Sequence, residues 1–378
     1  MNFDFSQEQI QFADALHRWA NQDYQFEQRK HIIQSASGTS DDAWAALTEL
    51  GALALPVPED QGGFNGSAVD MLVLMQELGR ALVVEPYFAT VFAAEFLKLA
   101  KAHFDILEQV AAGQTKLAAA LYEAQSRHEA YDIKTTVTAN ADGYVLNGKK
   151  TVVIHGAQAD QLIVSARAGG DQLAAKGIML FLVDARSPGV SRRDYRTLDG
   201  MRAADISFDQ VQLPAIALLG REDGGADLLD AALDYGITLL CAEAVGIMEA
   251  TIAATLEYLK TRQQFGVPIG KFQVLQHRMA DMYMEMEQAR SMATLAAVKQ
   301  SSANVQERRR TVSAAKVRVG QAARLIGQQA VQLHGGMGVT NELPVAHMFK
   351  RLTMIELSLG DTDHHLARFI AQSDFAAA

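Results

Sequence analysis

Apolar residues recur through the first hundred or so positions at the three-to-four spacing of amphipathic helices. Ile10, Ala13, Leu16 and Ala20 follow a capping-box start made by Ser6 and Gln9. Trp44, Leu47 and Leu50 share one face behind Asp41-Asp42, and Gly51 ends that run. Pro56-Val57-Pro58-Glu59-Asp60-Gln61-Gly62-Gly63 is a loop, because two prolines and a glycine pair cannot continue a helix. Helical spacing resumes from Val69 to Arg80 and from Phe88 to Leu99. Near residue 117 the period changes. Short strands are predicted over Gln161–Ala166, Ile178–Val183 and Ile206–Phe208, and Asn147-Gly148 is the dipeptide that favours a two-residue hairpin. From Asp223 helical patterning returns in long pieces, about 226–262, 271–301, 308–333 and 342–359. In the third piece Ala315, Val319, Ala322, Ile326, Ala330 and Leu333 form one apolar stripe. The pattern predicts an α+β chain in three parts. An N-terminal α-helical domain covers 1–117, a middle barrel- or sandwich-like β domain 118–222, and a C-terminal antiparallel four-helix bundle 223–378.

Composition narrows the class. At 378 residues the chain exceeds one comfortable core, and 49% hydrophobic residues with mean hydropathy near zero are ordinary for a well-packed protein. No apolar run reaches the roughly 18 residues of a bilayer span, so no membrane segment is expected. The first residues, Met1-Asn2-Phe3-Asp4-Phe5-Ser6, lack a basic and then apolar leader, and a cytoplasmic location is expected. The net charge of −10 argues against nucleic-acid partners but leaves room for an anionic cofactor held by local positive groups. The single cysteine, Cys241, excludes an internal disulfide or a thiolate metal cluster. Its apolar helical context predicts a buried, inert thiol.

Two segments carry candidate chemistry. Thr261-Arg262-Gln263-Gln264-Phe265-Gly266-Val267-Pro268-Ile269-Gly270-Lys271-Phe272-Gln273 places one guanidinium among amides and aromatics at a break between helices. Gln332-Leu333-His334-Gly335-Gly336-Met337-Gly338 ends a helix in a glycine-rich turn, where a polyphosphate can approach the main chain. Glycine after a helix rather than after a strand is not a dinucleotide-binding Rossmann fingerprint. In this order, with Pro58–Gly63, Asp142–Lys150, Lys176–Ile178 and Gly200–Asp205 between, the segments resemble the acyl-CoA dehydrogenase family along essentially the whole chain. The resemblance implies FAD as cofactor. It implies Arg262 on the FAD pyrophosphate across a subunit boundary, with Gln264, Phe265, Phe272 and Gln273 beside it. It also implies that Gln332, Gly335 and Gly336 accept the ADP half of a neighbour's FAD. The protein is therefore expected to be an oligomer, of itself or with a paralogous subunit.

The family reaction is α,β-desaturation of an acyl-CoA: a carboxylate removes the α-proton while the β-hydride goes to flavin N5, and electrons pass on to electron-transfer flavoprotein or another acceptor. Aligning Arg368 with the arginine that closes the family's base segment puts Asp361 on the base position, one methylene shorter than the usual Glu. The same Asp361 reads as a helix N-cap. Glu356, one helical turn earlier, is a lesser substitute, whereas Glu243 is expected to lie too deep for one, and the adjacent His364 and His365 point apart, so they form no metal pair and are expected at the surface or the flavin edge. Elsewhere the chain departs from the family. Arg127 and His128 stand where hydroxyls usually meet the cofactor or CoA, and read either as CoA-phosphate ligands or as a solvated loop. Val153 and Ile154 offer only main chain to a flavin ring. Two alternatives stay open: a cofactor-sharing subunit of a heteromeric dehydrogenase, resembling the small subunit of pimeloyl-CoA dehydrogenase and the steroid-side-chain enzymes, and a nitroalkane-oxidase-like flavoenzyme using an Asp base.

Overall fold

Side-chain caps set where the N-terminal helices begin. In the computed structural model, which describes residues 5–372, helix α1 (Gln7–Asp23) opens with the capping box. Ser6 Oγ accepts from the Gln9 amide at 3.2 Å, and Gln9 Oε1 accepts from the Ser6 amide at 2.8 Å. Helices α2 (Phe26–Gln34), α3 (Asp41–Glu49), α4 (Ala68–Arg80), α5 (Tyr87–Ala100) and α6 (Phe104–Ala111) follow, with Ser40 capping α3 and a Ser67–Asp70 box capping α4. The proline-glycine loop holds one short 3-10 turn, Glu59–Gln61, closed by Gly62 at φ 78°. The element order is the one the periodicity predicts: helices, a β half-barrel, then helices.

Contacts group the chain into two compact units. One holds His31–Gly66 and Val84–Gly236. Within it β1 (Leu117–Ala120), β2 (Thr136–Ala139), β3 (Gly143–Ile154), β4 (Gln161–Arg167), β5 (Ile178–Asp184), β6 (Val190–Arg196) and β7 (Arg202–Pro214) form one seven-stranded sheet. The order is β1-β4-β2-β3-β7-β6, with β5 on β4; β1 and β2 run parallel to β4 and the other pairs are antiparallel. Leu146, Leu162, Val164, Phe181, Ile206 and Phe208 lie in its core.

One strand corrects the sequence reading. Asn147-Gly148 does not turn a hairpin; it sits inside the continuous β3 at a register shift against β7. The Asn147 side chain accepts from the Gln210 amide at 2.8 Å, and Gly148, at φ 151°, lies where a Cβ would come within 2.5 Å of Thr135. Bulges and hairpin turns draw on the same dipeptide, and cross-strand partners decide between them.

The sheet also buries a charge. Lys150 is fully buried, and its Nζ donates to Leu121 O at 3.1 Å, Glu123 Oε1 at 2.8 Å and Ser165 Oγ at 3.0 Å. Glu123 also accepts from the Lys134 and Thr135 amides at 2.9 and 3.0 Å. Burial alone would raise its carboxyl, but Lys150 and these donors outweigh that and hold it at about 2. Glu123→Gln is expected to cost about 3 kcal/mol in urea unfolding, since one partner of a buried pair is then left alone. The depressed carboxyl contributes fully above its ordinary value of 4.5, and its contribution drains as pH falls towards about 2. The acid-unfolding curve of the variant should be flatter in that window.

The other unit holds the residues up to Lys30, Ser67–Val83 and Ile237 onwards. Its long elements are the greater part of α7 (Gly225–Thr261), then α8 (Gln273–Lys299), α9 (Val305–His334), α10 (Pro344–Leu357) and α11 (Thr362–Ile370), with a two-stranded hairpin, β8 (Gln263–Gln264) and β9 (Val267–Pro268), after α7. The α9 stripe is buried from Ala315 to Leu333 as its spacing predicts. Contrary to the sequence reading, α7 is long and apolar enough to cross a membrane, with a window of mean hydropathy 1.7; 78% of that window is buried, as in the core helix of a globular protein.

Helices α4 and α7 touch main chain to main chain. A Cβ on Gly79 would lie 2.2 Å from Glu243 O, and one on Gly246 only 1.9 Å from Gln76 O. Gly246→Ala is expected to lower stability by about 1–3 kcal/mol, the usual cost of overpacking, measured by thermal unfolding.

Candidate functional site

The two segments singled out by sequence meet at one end of the helical unit. Arg262 follows α7 directly, and its carbonyl accepts from the Ile269 amide at 2.9 Å, closing the β8–β9 hairpin. Phe265 and Gly266 at the tip have φ 53° and 78°, the paired left-handed geometry of a tight hairpin turn. Phe265 is 89% exposed, with only Phe272 beside it at 6.1 Å between ring centroids. Arg262, Gln264, Phe272 and Gln273 are exposed as well, and among the described residues no ion pair engages the Arg262 guanidinium.

Helix α9 ends at His334, whose ring stacks on Tyr258 of α7 at 4.4 Å. Tyr258 Oη donates to His334 O at 3.4 Å, and His334 Nδ1–H donates to Ala330 O at 2.8 Å. Tyr258 precedes Arg262 by one turn and His334 precedes Gly335 by one residue, so this stack brings the hairpin and the glycine turn together. Burial lowers the His334 pKa, which keeps the stacked ring neutral. Gly335, at φ 59°, turns the chain by a conformation that favours glycine. At both Gly335 and Gly336 a Cβ would meet nothing within 4 Å, and both are exposed, as is Gln332. Among the described residues nothing covers this main chain. An exposed guanidinium beside a bare turn fits an anionic ligand such as a dinucleotide phosphate.

Asp361 caps α11, accepting from the His364 amide at 2.8 Å. It is half-buried and follows a tight strap, Ser358-Leu359-Gly360, with φ 54° at Leu359 and 107° at Gly360. His365 is not at the surface, one of the two places the sequence left open for it, but 1% exposed; its Nε2–H donates to Leu359 O at 2.9 Å, and burial pushes its pKa down to about 2. The helix turn that carries it faces the core, which adjacency to His364 could not reveal. The lesser carboxylates are both engaged. Glu356 accepts from Thr362 N at 3.2 Å and Thr362 Oγ1 at 2.9 Å and pairs with Arg324. Glu243 is gripped by the Arg351 fork at 2.6 and 2.7 Å. Lys316 of α9, fully buried under the strap, was not singled out from sequence; its signal is a lysine set directly beside the apolar stripe.

The remaining candidates belong to the sheet-bearing unit. Val153 is buried and Ile154 half-buried, in register with Ala204 and Ala203 of β7. Arg127, at φ 49°, and His128 lie on the loop between β1 and β2, pinned by Ser126 Oγ, which accepts from Glu123 N and donates to Asp132 O, both at 2.9 Å. Cys241 is buried, and its thiol is pushed up to about 12 by that burial, which suits an inert role.

Residues 6–97, 118–211 and 223–373 match the acyl-CoA dehydrogenase N-terminal, middle and C-terminal domains. The chain is 29% identical to the probable acyl-CoA dehydrogenase YngJ of Bacillus subtilis, over 96% of this chain and 97% of that one. Among solved structures it is similar to a variant of the Tcur3481-Tcur3483 steroid ACAD, at 28% identity and TM-score 0.89 over 98% and 99% of the two chains. It shares its fold with PigA in complex with FAD, at TM-score 0.90 and 24% identity over the whole of both chains. With all three domains matched in order along the chain, the protein belongs to the acyl-CoA dehydrogenase family of flavoprotein oxidoreductases.

Proposed function

We propose that the protein is an FAD-dependent acyl-CoA dehydrogenase in which Arg262 and the Gly335-Gly336 turn serve the FAD of a neighbouring subunit and Asp361 removes the substrate α-proton. The observation that carries this reading is the joining of the hairpin and the glycine turn, through Tyr258 and His334, into one face exposed among the described residues. A planar guanidinium can bind two phosphate oxygens, and Gln264, Phe265, Phe272 and Gln273 surround it with amide and aromatic contacts. Phe265, which buries almost nothing within its own chain, suits contact with a second subunit. Bound FAD would supply the acceptor for the β-hydride. Asp361 holds the α11 amide of His364 at 2.8 Å, which fixes the carboxylate at the start of that helix. Val153 and Ile154 would present main chain to the flavin, and Arg127 and His128 would meet CoA phosphate. Electron-transfer flavoprotein is the proposed acceptor downstream.

Arg262→Gln is expected to weaken FAD retention by roughly ten- to a hundredfold, the worth of a charged hydrogen bond, read as flavin content after dialysis. Unchanged occupancy removes Arg262 from the cofactor site. Asp361→Asn is expected to slow anaerobic flavin bleaching by acyl-CoA by about 10²–10⁴-fold. Bleaching at the wild-type rate would show that another group is the base.

A second reading, a cofactor-sharing subunit of a heteromer, is favoured by the shortened carboxylate and the altered residues at 127, 128, 153 and 154. It requires that protein purified alone bleach no flavin, and that a longer paralogue restore the reaction. Bleaching by nitroethane would instead favour an oxidase of the same fold.

A further inference from the structure

Lys316 is a buried cation for which the proposed reaction has no use. It is 1% exposed, and its Nζ lies 3.0 Å from Ile355 O, 2.9 Å from Glu356 O, 2.9 Å from Ser358 O and 2.6 Å from Gly360 O. Among the described residues no carboxylate forms an ion pair with it, so main-chain oxygens alone receive its three protons. Ile355 and Glu356 belong to the last turn of α10, where a cation complements the exposed carbonyl ends. Ser358 and Gly360 do not: they lie past the helix, in the strap that delivers Asp361. The carbonyl between them, Leu359 O, is taken by His365 Nε2–H at 2.9 Å. Three successive carbonyls are thus held from the core by α9 and α11.

The strap needs such restraint. Leu359 carries a side chain at φ 54°, and a Cβ on Gly360 would come within 2.6 Å of His365 Nε2. Backbone in sparsely populated regions persists where its surroundings over-determine it. We propose that Lys316 is a positioning residue for Asp361: its ammonium clasps the 355–360 carbonyls and so sets where the Asp361 carboxylate stands. The proposal rests on the reading of Asp361 as the base. It also answers the missing methylene, because a shorter carboxylate works only if the backbone that carries it is fixed.

The clasp should be sensitive to pH. Cys241 of α7, Glu356 of α10, and Asp361 and His365 at the start of α11 face the ammonium. Burial pulls Lys316 down to about 8 against the attraction of its neighbours. An amine that has lost a proton keeps two N–H groups for four carbonyls, so the strap loosens as pH rises through that value.

The test uses the flavin-loaded Lys316→Met protein beside wild type and Asp361→Asn, with butyryl-, octanoyl- and palmitoyl-CoA as probes. Amide hydrogen exchange over residues 357–366 is expected to rise at least tenfold in Lys316→Met, with the rest of α9 unchanged. The bleaching rate per bound flavin should fall by about 100-fold, with half-saturation by the thioester and flavin content close to wild type. Unchanged exchange in the strap overturns the proposal whatever the activity. Raised exchange with an unchanged rate per flavin reduces Lys316 to a structural cap and overturns it too. A wild-type rate in Asp361→Asn sinks the base assignment instead, a separate result. Should Lys316→Met not fold, wild-type exchange decides: protection of 357–366, corrected for intrinsic rates, falls between pH 7 and 9.5, and constant protection overturns the clasp.

Discussion

The stack of Tyr258 on His334 fixes the geometry on which the proposed cofactor face depends. Two helices, of 37 and 30 residues, end where their sequences demand it, one before a hairpin and one before a glycine turn. Without a tie those ends would fray independently, since helix termini leave carbonyls without intrahelical partners. The aromatic contact ties the two ends together, while the tyrosine hydroxyl on His334 O and the His334 ring on Ala330 O give two carbonyls side-chain donors. A neutral ring suits the arrangement, because a charged imidazole would lose solvation in the stack.

Buried charge recurs as a device for holding main chain. Lys150, Lys316 and Arg351 are each buried, and each is satisfied in a different way: by a carboxylate with a carbonyl and a hydroxyl, by four carbonyls, and by a bidentate carboxylate. Such groups contribute little net stability over apolar packing, but they are costly to leave unmatched. Their partners are therefore held in narrow geometries. Lys150 fixes Glu123 and, through it, the amides of Lys134 and Thr135; Lys316 fixes the strap before Asp361. In each case a lysine acts on a loop carrying a candidate site residue.

The retained and the altered features divide by the chemistry they would serve. Arg262, Gln264, Phe265, Phe272, Gln273, Gln332 and the glycine pair resemble the family pattern, whereas 127, 128, 153 and 154 depart from it and the carboxylate at 361, the proposed base, is one methylene shorter. Phosphate binding asks for charge and bare main chain, which few residue types supply. A substrate pocket asks for shape, which many combinations meet. This asymmetry underlies both the dehydrogenase reading and the cofactor-sharing one.

Much of the fold was legible in the sequence, because helices and caps are local. The period-3.6 stripe on α9, the Ser6–Gln9 box and the long C-terminal helices follow from residues a few positions apart. The glycine turn was legible for the same reason, since its residue types are required by its own backbone; at 263–268 only a break between helices was read, and the β8–β9 hairpin was not. Asn147-Gly148 was not, since its bulge is decided by Gln210 and Thr135, distant in sequence. Nor were the roles of His365 and Lys316, which look like a surface or flavin-edge imidazole and a lysine beside an apolar stripe until the strap folds over them. Local periodicity and motif chemistry thus determined the elements, the family and the candidate ligands of the cofactor. Tertiary structure alone decided which polar groups are buried and what satisfies them, because a buried donor takes its partners from chain segments that no local pattern brings together.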